Sequence, residues 1–318
     1  MTLTNDKPRL IAIDMDGTLL NSSGQVSERN RSALRAAEAA GAEPVIATGR
    51  RHCYAMHVLR GLGLNQNHAL VSSNGTVIRT IGSELLHRTH MSVETARWLC
   101  GHVTEFRNTL VLTFDMVQPD GEDTRGALVC EGLEELQGSI NRWMMANEPY
   151  MLKLDRIEDA LNGAAPIQAM LCGPIERMAR AEAVLTGHPK VSAVGEEAGP
   201  ETEITLHRTS YPGKDLSIVD ILPAGCSKAS ALERLAELRG CTAADVLAIG
   251  DNWNDLPMLR AAGRAVLMAN APEDLKRLAG EHGWVVAPSN DEDGVAVAIE
   301  AVLSGGLDAV TDMETVAS

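Results

Sequence analysis

Leu10-Ile11-Ala12-Ile13-Asp14-Met15-Asp16-Gly17-Thr18 runs from an apolar strand straight into a carboxylate-rich turn. Open parallel α/β sheets carry their sites at the C-terminal ends of the strands, and Asp14 stands at such an end. Two carboxylates one residue apart point to opposite sides of an extended chain. One can attack or hold a metal while the other sits across the substrate. Gly17 lets the chain leave the strand sharply. Taken alone, these residues favour a site but leave a strand closed by an Asp-rich turn open.

The flanking pattern favours the parallel sheet. Residues 27–40 read as a helix with Ser27 as N-cap and Gly41 as its stop. Residues 44–47 follow as a strand, 52–62 as a helix and 69–72 as a third strand. That alternation calls for right-handed crossovers. The C-terminal part repeats it, with helices over 228–238, 255–262 and 273–279 and strands over 246–249, 265–268 and 285–287. A last helix starts near Gly294, and from Gly305 the chain reads as a polar, patternless tail.

Residues 84–220 differ. Helical stretches at 93–106, 140–146 and 175–185 mix with strand-like runs at 109–114, 126–130 and 167–171 and near Val191, Ile204 and Ile218. The expectation is a discontinuous, doubly wound, mainly parallel Rossmann-like core from residues 1–83 and 221–318. Between its halves lies an α+β insertion, residues 84–220, joined near Ser83 and Ile221.

Composition narrows the function. The 318 residues suffice for two domains, and aromatics at 3% leave the cores to aliphatic side chains. A formal charge of −15 opposes nucleic acid and anionic membranes as partners. A small anionic substrate stays possible, because a metal and a few donors can reverse the potential inside one cleft. The six cysteines form no CxxC pair, as suits reduced thiols. No leader-like or membrane-length apolar run is present, so the cytoplasm is the expected location. Acidic residues 131–135 read as a solvated face, and Trp143, Met144 and Met145 as core.

Further motifs stand at strand ends. Ala47-Thr48-Gly49-Arg50 offers a hydroxyl and backbone N–H groups suited to a phosphate oxygen. Lys228 opens a helix after Gly225-Cys226-Ser227, where its charge opposes the helix dipole, so a structural role explains it poorly. Gly250-Asp251-Asn252-Trp253-Asn254-Asp255 supplies carboxylates and an amide; Asp251 fits a metal ligand, while Asp255 could be only an N-cap.

In this order, DMDGTL, ATGR, the GCSK lysine and GDNWND resemble the haloacid dehalogenase superfamily of phosphohydrolases. Ser72-Ser73-Asn74-Gly75 and Ser289-Asn290-Asp291-Glu292-Asp293-Gly294-Val295 are similar to its Cof-like branch, which carries a large α/β cap where residues 84–220 fall. Ala269 in Met268-Ala269-Asn270-Ala271 departs from the family's usual Gly, at a place expected to lie away from the catalytic motifs. The resemblance implies that Asp14 attacks phosphorus and that Asp16 serves as acid and then base. It implies Mg²⁺ held by Asp14, the Asp16 carbonyl and Asp251. It implies phosphoryl oxygens held by Thr48, Gly49, Lys228 and Asn254, with Asp255 orienting the loop. An all-oxygen ligand set suits hard Mg²⁺ rather than zinc. The substrate implied is a small phosphorylated metabolite, such as a sugar phosphate. A phosphosugar mutase is the rival enzyme, and a phosphometabolite-binding regulatory protein the rival without catalysis.

Overall fold

The computed structural model describes residues 7–133, 137–193, 196 and 198–307. The chain separates into two compact units, Met1–Leu86 with Ser227–Ser318, and His87–Cys226. The N-terminal part of the first runs β1 (Leu10–Asp14), α1 (Glu28–Ala39), β2 (Glu43–Ala47), α2 (His52–Leu59), β3 (Ala69–Ser72), β4 (Val77–Thr80) and the start of β5 (Leu85–Arg88), within which the division falls. The second unit runs α3 (Val93–His102), β6 (Leu110–Thr113), β7 (Leu128–Cys130), α4 (Gln137–Asn147), β8 (Met151–Lys153), β9 (Gln168–Gly173), α5 (Ile175–Thr186), β10 (Val191–Ala193), β11 (Ile204–Tyr211) and β12 (Leu216–Pro223). The first unit resumes with α6 (Lys228–Arg239), β13 (Val246–Gly250), α7 (Leu256–Ala261), β14 (Arg264–Met268), α8 (Glu273–His282), β15 (Val285–Ala287) and α9 (Gly294–Ser304).

The first sheet has the order β15-β14-β13-β1-β2-β3-β4-β5 and is parallel from β15 to β3. Every residue of β1 is buried. Ile11 and Ile13 join a core with Leu34 of α1 and Ile299 of α9, whereas Leu10 and Ala12 join one with Leu235 of α6 and Leu275 of α8. A strand covered by helices on both faces has no polar side to show, so it reads as an unbroken apolar run. The Ser27 hydroxyl accepts from the Asn30 amide and caps α1. Asp14 lies in register with Ala47, and Ile13 with Ile249. The turns after β2 and β13 therefore flank the end of β1.

Two boundaries of the insertion differ from expectation. Residues Leu85–Arg88 form the edge strand β5 of the first sheet, beside β4. A tight turn with Ser83 at φ 74° returns the chain after β4. At the other junction, Ile221 pairs with both Leu206 and Ala169, so β12 belongs to the second sheet as far as Pro223.

The second sheet has the order β10-β11-β12-β9-β6-β7-β8, antiparallel except at β10–β11 and β7–β8. Leu112, Leu171, Val219 and Ile221 pack with Leu99 of α3, Phe106 and Leu185 of α5. The opposite face carries a smaller cluster of Val111, Met170 and Cys172, with Trp143 against it. Met145 is 71% exposed and so is not core, unlike its neighbours Trp143 and Met144. Glu131 is not part of a solvated face either. The Arg107 guanidinium donates to both Glu131 and Glu158, and Glu131 also accepts from the Ile157 amide at 3.0 Å. Glu134, Glu135 and the tail beyond 307 lie outside the described residues. Among those residues no helix is long and apolar enough to cross a membrane.

Candidate active site

Asp14, at the end of the central strand β1, is buried. Lys228, the first residue of α6, is fully buried; its ammonium donates to Asp14 Oδ1 and, at 2.6 Å, to Asp255 Oδ1. Those two carboxylates explain a cation at a helix N-terminus, where the dipole alone disfavours it. Ser227 caps the same helix through a reciprocal pair with Ser230.

Asp255 is likewise fully buried. Its Oδ2 accepts from the amides of Asp251 at 3.0 Å and Asn252 at 3.1 Å, which fixes the turn after β13. Gly250 permits this fold-back: a β-carbon there would lie 2.6 Å from the Asp255 β-carbon. Asp251 Oδ1 accepts from the Thr18 hydroxyl at 2.9 Å, and Asn270 donates to the Gly17 carbonyl at 2.8 Å and to Asp251 Oδ2 at 3.4 Å. Met268-Ala269-Asn270-Ala271 thus does not lie away from the site, as the sequence suggested. Asn270 ties the turn after β1 to Asp251.

Oxygen atoms of Asp14, Asp251 and Asp255 all lie within 4.8 Å of one another. One ammonium faces this trio, so the group is over-supplied with negative charge. Burial, then the charge on Asp255, pushes the Asp14 carboxyl well above its usual range, against the opposing pull of Lys228. The same two causes raise Asp251 to about 7. Burial acts to lower the Lys228 ammonium, but Asp14 and Asp255 outweigh it and keep the group protonated. A divalent cation would relieve this excess, and the donors present are hard oxygens. The residues therefore fit a Mg²⁺-type ion. Asp255 is already engaged by Lys228 and two amides, which leaves Asp14 and Asp251 the freer ligands.

The Asp16 carboxylate stands outside this trio. It is paired with Arg50, which donates from Nε at 2.8 Å and from Nη2 at 2.5 Å, and whose guanidinium lies 4.8 Å from the centre of the Tyr54 ring. Thr48 is fully buried after β2, and its hydroxyl accepts from the Arg50 amide at 3.1 Å. Asn254 is partly buried in the short 3-10 turn before α7. Three participants were missed by the sequence reading: Arg50, Thr18 and Asn270. Arg50 and Thr18 were in view within ATGR and DMDGT, and only Asn270 lay in a segment set aside as remote.

A core of parallel strands with a carboxylate trio and a buried lysine at its strand ends defines a phosphohydrolase of the haloacid dehalogenase type. The chain belongs to the haloacid dehalogenase-like hydrolase family, whose model matches residues 11–299. It is 31% identical over 309 residues to a 5-amino-6-(5-phospho-D-ribitylamino)uracil phosphatase of Bacillus subtilis, covering 93% of this chain and 99% of that one. A second phosphatase of Bacillus subtilis is 31% identical over 310 residues, covering 91% and 97%. Among solved structures, a haloacid dehalogenase-like hydrolase from Bacillus subtilis superposes with a TM-score of 0.71 at 28% identity, covering 92% of this chain and 99% of that one. The chain is accordingly a phosphatase of this superfamily.

Proposed function

We propose that the chain is a Mg²⁺-dependent, cytoplasmic phosphatase of small phosphomonoesters, sugar phosphates or similar polyhydroxylated metabolites, acting through an aspartyl phosphate on Asp14. The observation that carries this reading is the convergence of Asp14, Asp251 and Asp255 on the buried Lys228 ammonium. A phosphate ester dianion repels a carboxylate nucleophile, and Lys228 offsets that charge as it spreads over the phosphoryl oxygens. The Thr48 hydroxyl, the Gly49 amide and the Asn254 side chain complete the cradle. When bound, Mg²⁺ adds positive charge against those oxygens; Asp14, Asp251 and the Asp16 carbonyl would hold it.

In the first step an Asp14 carboxylate oxygen forms a bond to phosphorus, the ester P–O bond breaks, and Asp16 protonates the leaving oxygen. In the second, Asp16 takes a proton from water as its oxygen attacks phosphorus. Phosphate leaves and the Asp14 carboxylate returns. Splitting one displacement into two lowers each barrier. In this reading the core is built from both ends of the chain, and the inserted unit is a separate module, a cap in the family's sense. A phosphorylated ribityl chain is named for the Bacillus subtilis relative, which supports a polyhydroxylated leaving group here.

The test is phosphate release with Mg²⁺ over a panel of sugar and sugar-alcohol phosphates, including 5-amino-6-(5-phospho-D-ribitylamino)uracil, with acid-quenched enzyme analysed by mass spectrometry. We expect turnover on members of the panel, none after EDTA treatment, and phosphate trapped on Asp14. Phosphate trapped on a histidine or serine, or full turnover in metal-free protein, would falsify the reading.

A further inference from the structure

Ser72-Ser73-Asn74-Gly75 ends β3, and the chemistry above leaves it unused. Ser73, Asn74 and Gly75 take φ values of 50°, 52° and 100° in succession. Side chains of L-residues rarely adopt that left-handed region, and Asn tolerates it better than most. All three residues are buried, and the Ser73 hydroxyl finds no hydrogen-bond partner among the described residues. Strain of this kind persists only where the surroundings over-determine it.

The surroundings are the two halves of the phosphoryl cradle. The Ser73 amide donates to the Arg50 carbonyl at 2.9 Å, and the Asn74 amide to the Thr48 carbonyl at 3.0 Å. The Asn74 side chain lies over Gly49: a β-carbon there would sit 3.1 Å from Oδ1 and 3.2 Å from Nδ2. On its other side the turn meets α6, since a β-carbon on Gly75 would fall 2.1 Å from the Ser227 carbonyl oxygen and 3.1 Å from the Lys228 nitrogen. A hairpin connection from β3 to β4 requires neither approach.

We propose that Asn74 is a positioning residue, whose left-handed turn holds residues 48–50 and the start of α6 at a fixed spacing so that Thr48, Gly49 and Lys228 close on one phosphoryl group. The inference rests on the reading of those three residues as phosphoryl-binding groups. Asn74 acts through the turn and not by touching the ligand.

Inorganic phosphate is the probe, read as its inhibition constant against p-nitrophenyl phosphate hydrolysis with Mg²⁺. That constant does not depend on how much of the enzyme is folded. Asn74→Ala loses both the favoured backbone and the amide, and should weaken phosphate and raise KM about tenfold or more. Asn74→Gly keeps the left-handed backbone and should stay within about threefold of the parent. Gly49→Ala presses a methyl on the Asn74 amide and should also weaken phosphate. In the Gly49→Ala, Asn74→Gly double variant the obstruction is gone and affinity should recover, a non-additivity diagnostic of contact.

Unchanged phosphate inhibition and KM in Asn74→Ala, with only kcat reduced, would mean a merely structural turn. Equal losses in Asn74→Gly and Asn74→Ala would mean direct contact with the ligand; either result overturns the proposal. If Asn74→Ala does not fold, the Gly49→Ala pair decides. If the parent neither turns over the panel nor is inhibited by phosphate, the functional reading fails instead. Amide hydrogen exchange at residues 48–50 and 228, without ligand, then decides the positioning claim. Faster exchange at both places in Asn74→Ala than in Asn74→Gly supports it, and equal exchange overturns it.

Discussion

Replacing Lys228 by Met keeps most of the side chain's length and removes its charge. Asp14 and Asp255, which now share the ammonium, would then face each other and Asp251 with no protein cation. Loss of one such transition-state donor costs about 10²–10³ in kcat, and steady-state kinetics of Lys228→Met should show at least that. A fall below tenfold would show that the lysine only fills space. The pairing of Arg50 with Asp16 makes a subtler claim. A bidentate guanidinium fixes the direction of a carboxylate, so Arg50→Ala should leave Asp16 poorly aimed at the leaving oxygen. Proton donation matters most for alkyl leaving groups and little for p-nitrophenolate, a weak base. Arg50→Ala and Asp16→Asn should therefore both depress turnover of alkyl phosphates more than that of p-nitrophenyl phosphate, with Asp16→Asn the more severe. Equal loss on both substrates in Arg50→Ala would assign the arginine to phosphate binding and not to Asp16.

The turn after β1 shows how one element gathers residues far apart in sequence. Gly17 sits at φ 83°, and a β-carbon there would lie 2.5 Å from Asp251 Oδ2. Gly17→Ala therefore strains the backbone and displaces a carboxylate of the trio at once. It should lower stability by about 1–2 kcal/mol and weaken Mg²⁺ binding, measured by denaturation and by metal titration of the same sample. Unaltered metal affinity would separate Gly17 from Asp251. Elements buried on both faces were legible in sequence: the strands at 10–13 and 246–249 are unbroken apolar runs, and Ser27 and Gly41 bracket α1. The edge hairpin of β4 and β5 was not. β5 is partly exposed throughout and carries no alternation to mark it. At the site, Asp14 and Asp251 stood out because each closes an apolar strand run, and Lys228 because its charge opposes the dipole of the helix it opens. Asn270 did not, because its partner Gly17 is 253 residues away and nothing local announces the contact.

At the scale of the whole chain, each unit has its own apolar clusters, Ile11, Leu34 and Ile299 marking one and Leu99, Phe106 and Val219 another. Their sensitivities to solution conditions should therefore differ. The proposed cation site exists only in the folded first unit, so Mg²⁺ at 100 times its dissociation constant should stabilise that unit by about 2.7 kcal/mol. In the second unit the comparable charge feature is the clasp of Arg107 on Glu131 and Glu158, with all three side chains about one-fifth exposed. Hydrogen bonds from Arg107, chiefly, hold both carboxyls below their usual range. Groups with a depressed folded pKa bind fewer protons folded than unfolded in the window between the two values, so stability falls as pH falls through that window. The clasp's contribution is complete above the ordinary glutamate range near pH ~4.5 and is lost below it. Arg107→Ala should thus cost the second unit about 1–3 kcal/mol at neutral pH and much less once both glutamates are protonated, flattening the acid limb of its stability curve. Hydrogen exchange resolved by segment reads both effects in one experiment. Mg²⁺ should slow exchange in β1, β13 and α6, and Arg107→Ala should speed it in β6, β7 and α3 at pH 7 while leaving the Mg²⁺ response in place. If Mg²⁺ protected the second unit as strongly as the first, or if Arg107→Ala abolished protection in β1 and β13, the two units would unfold as one, and the separation of their chemistry argued here would not hold.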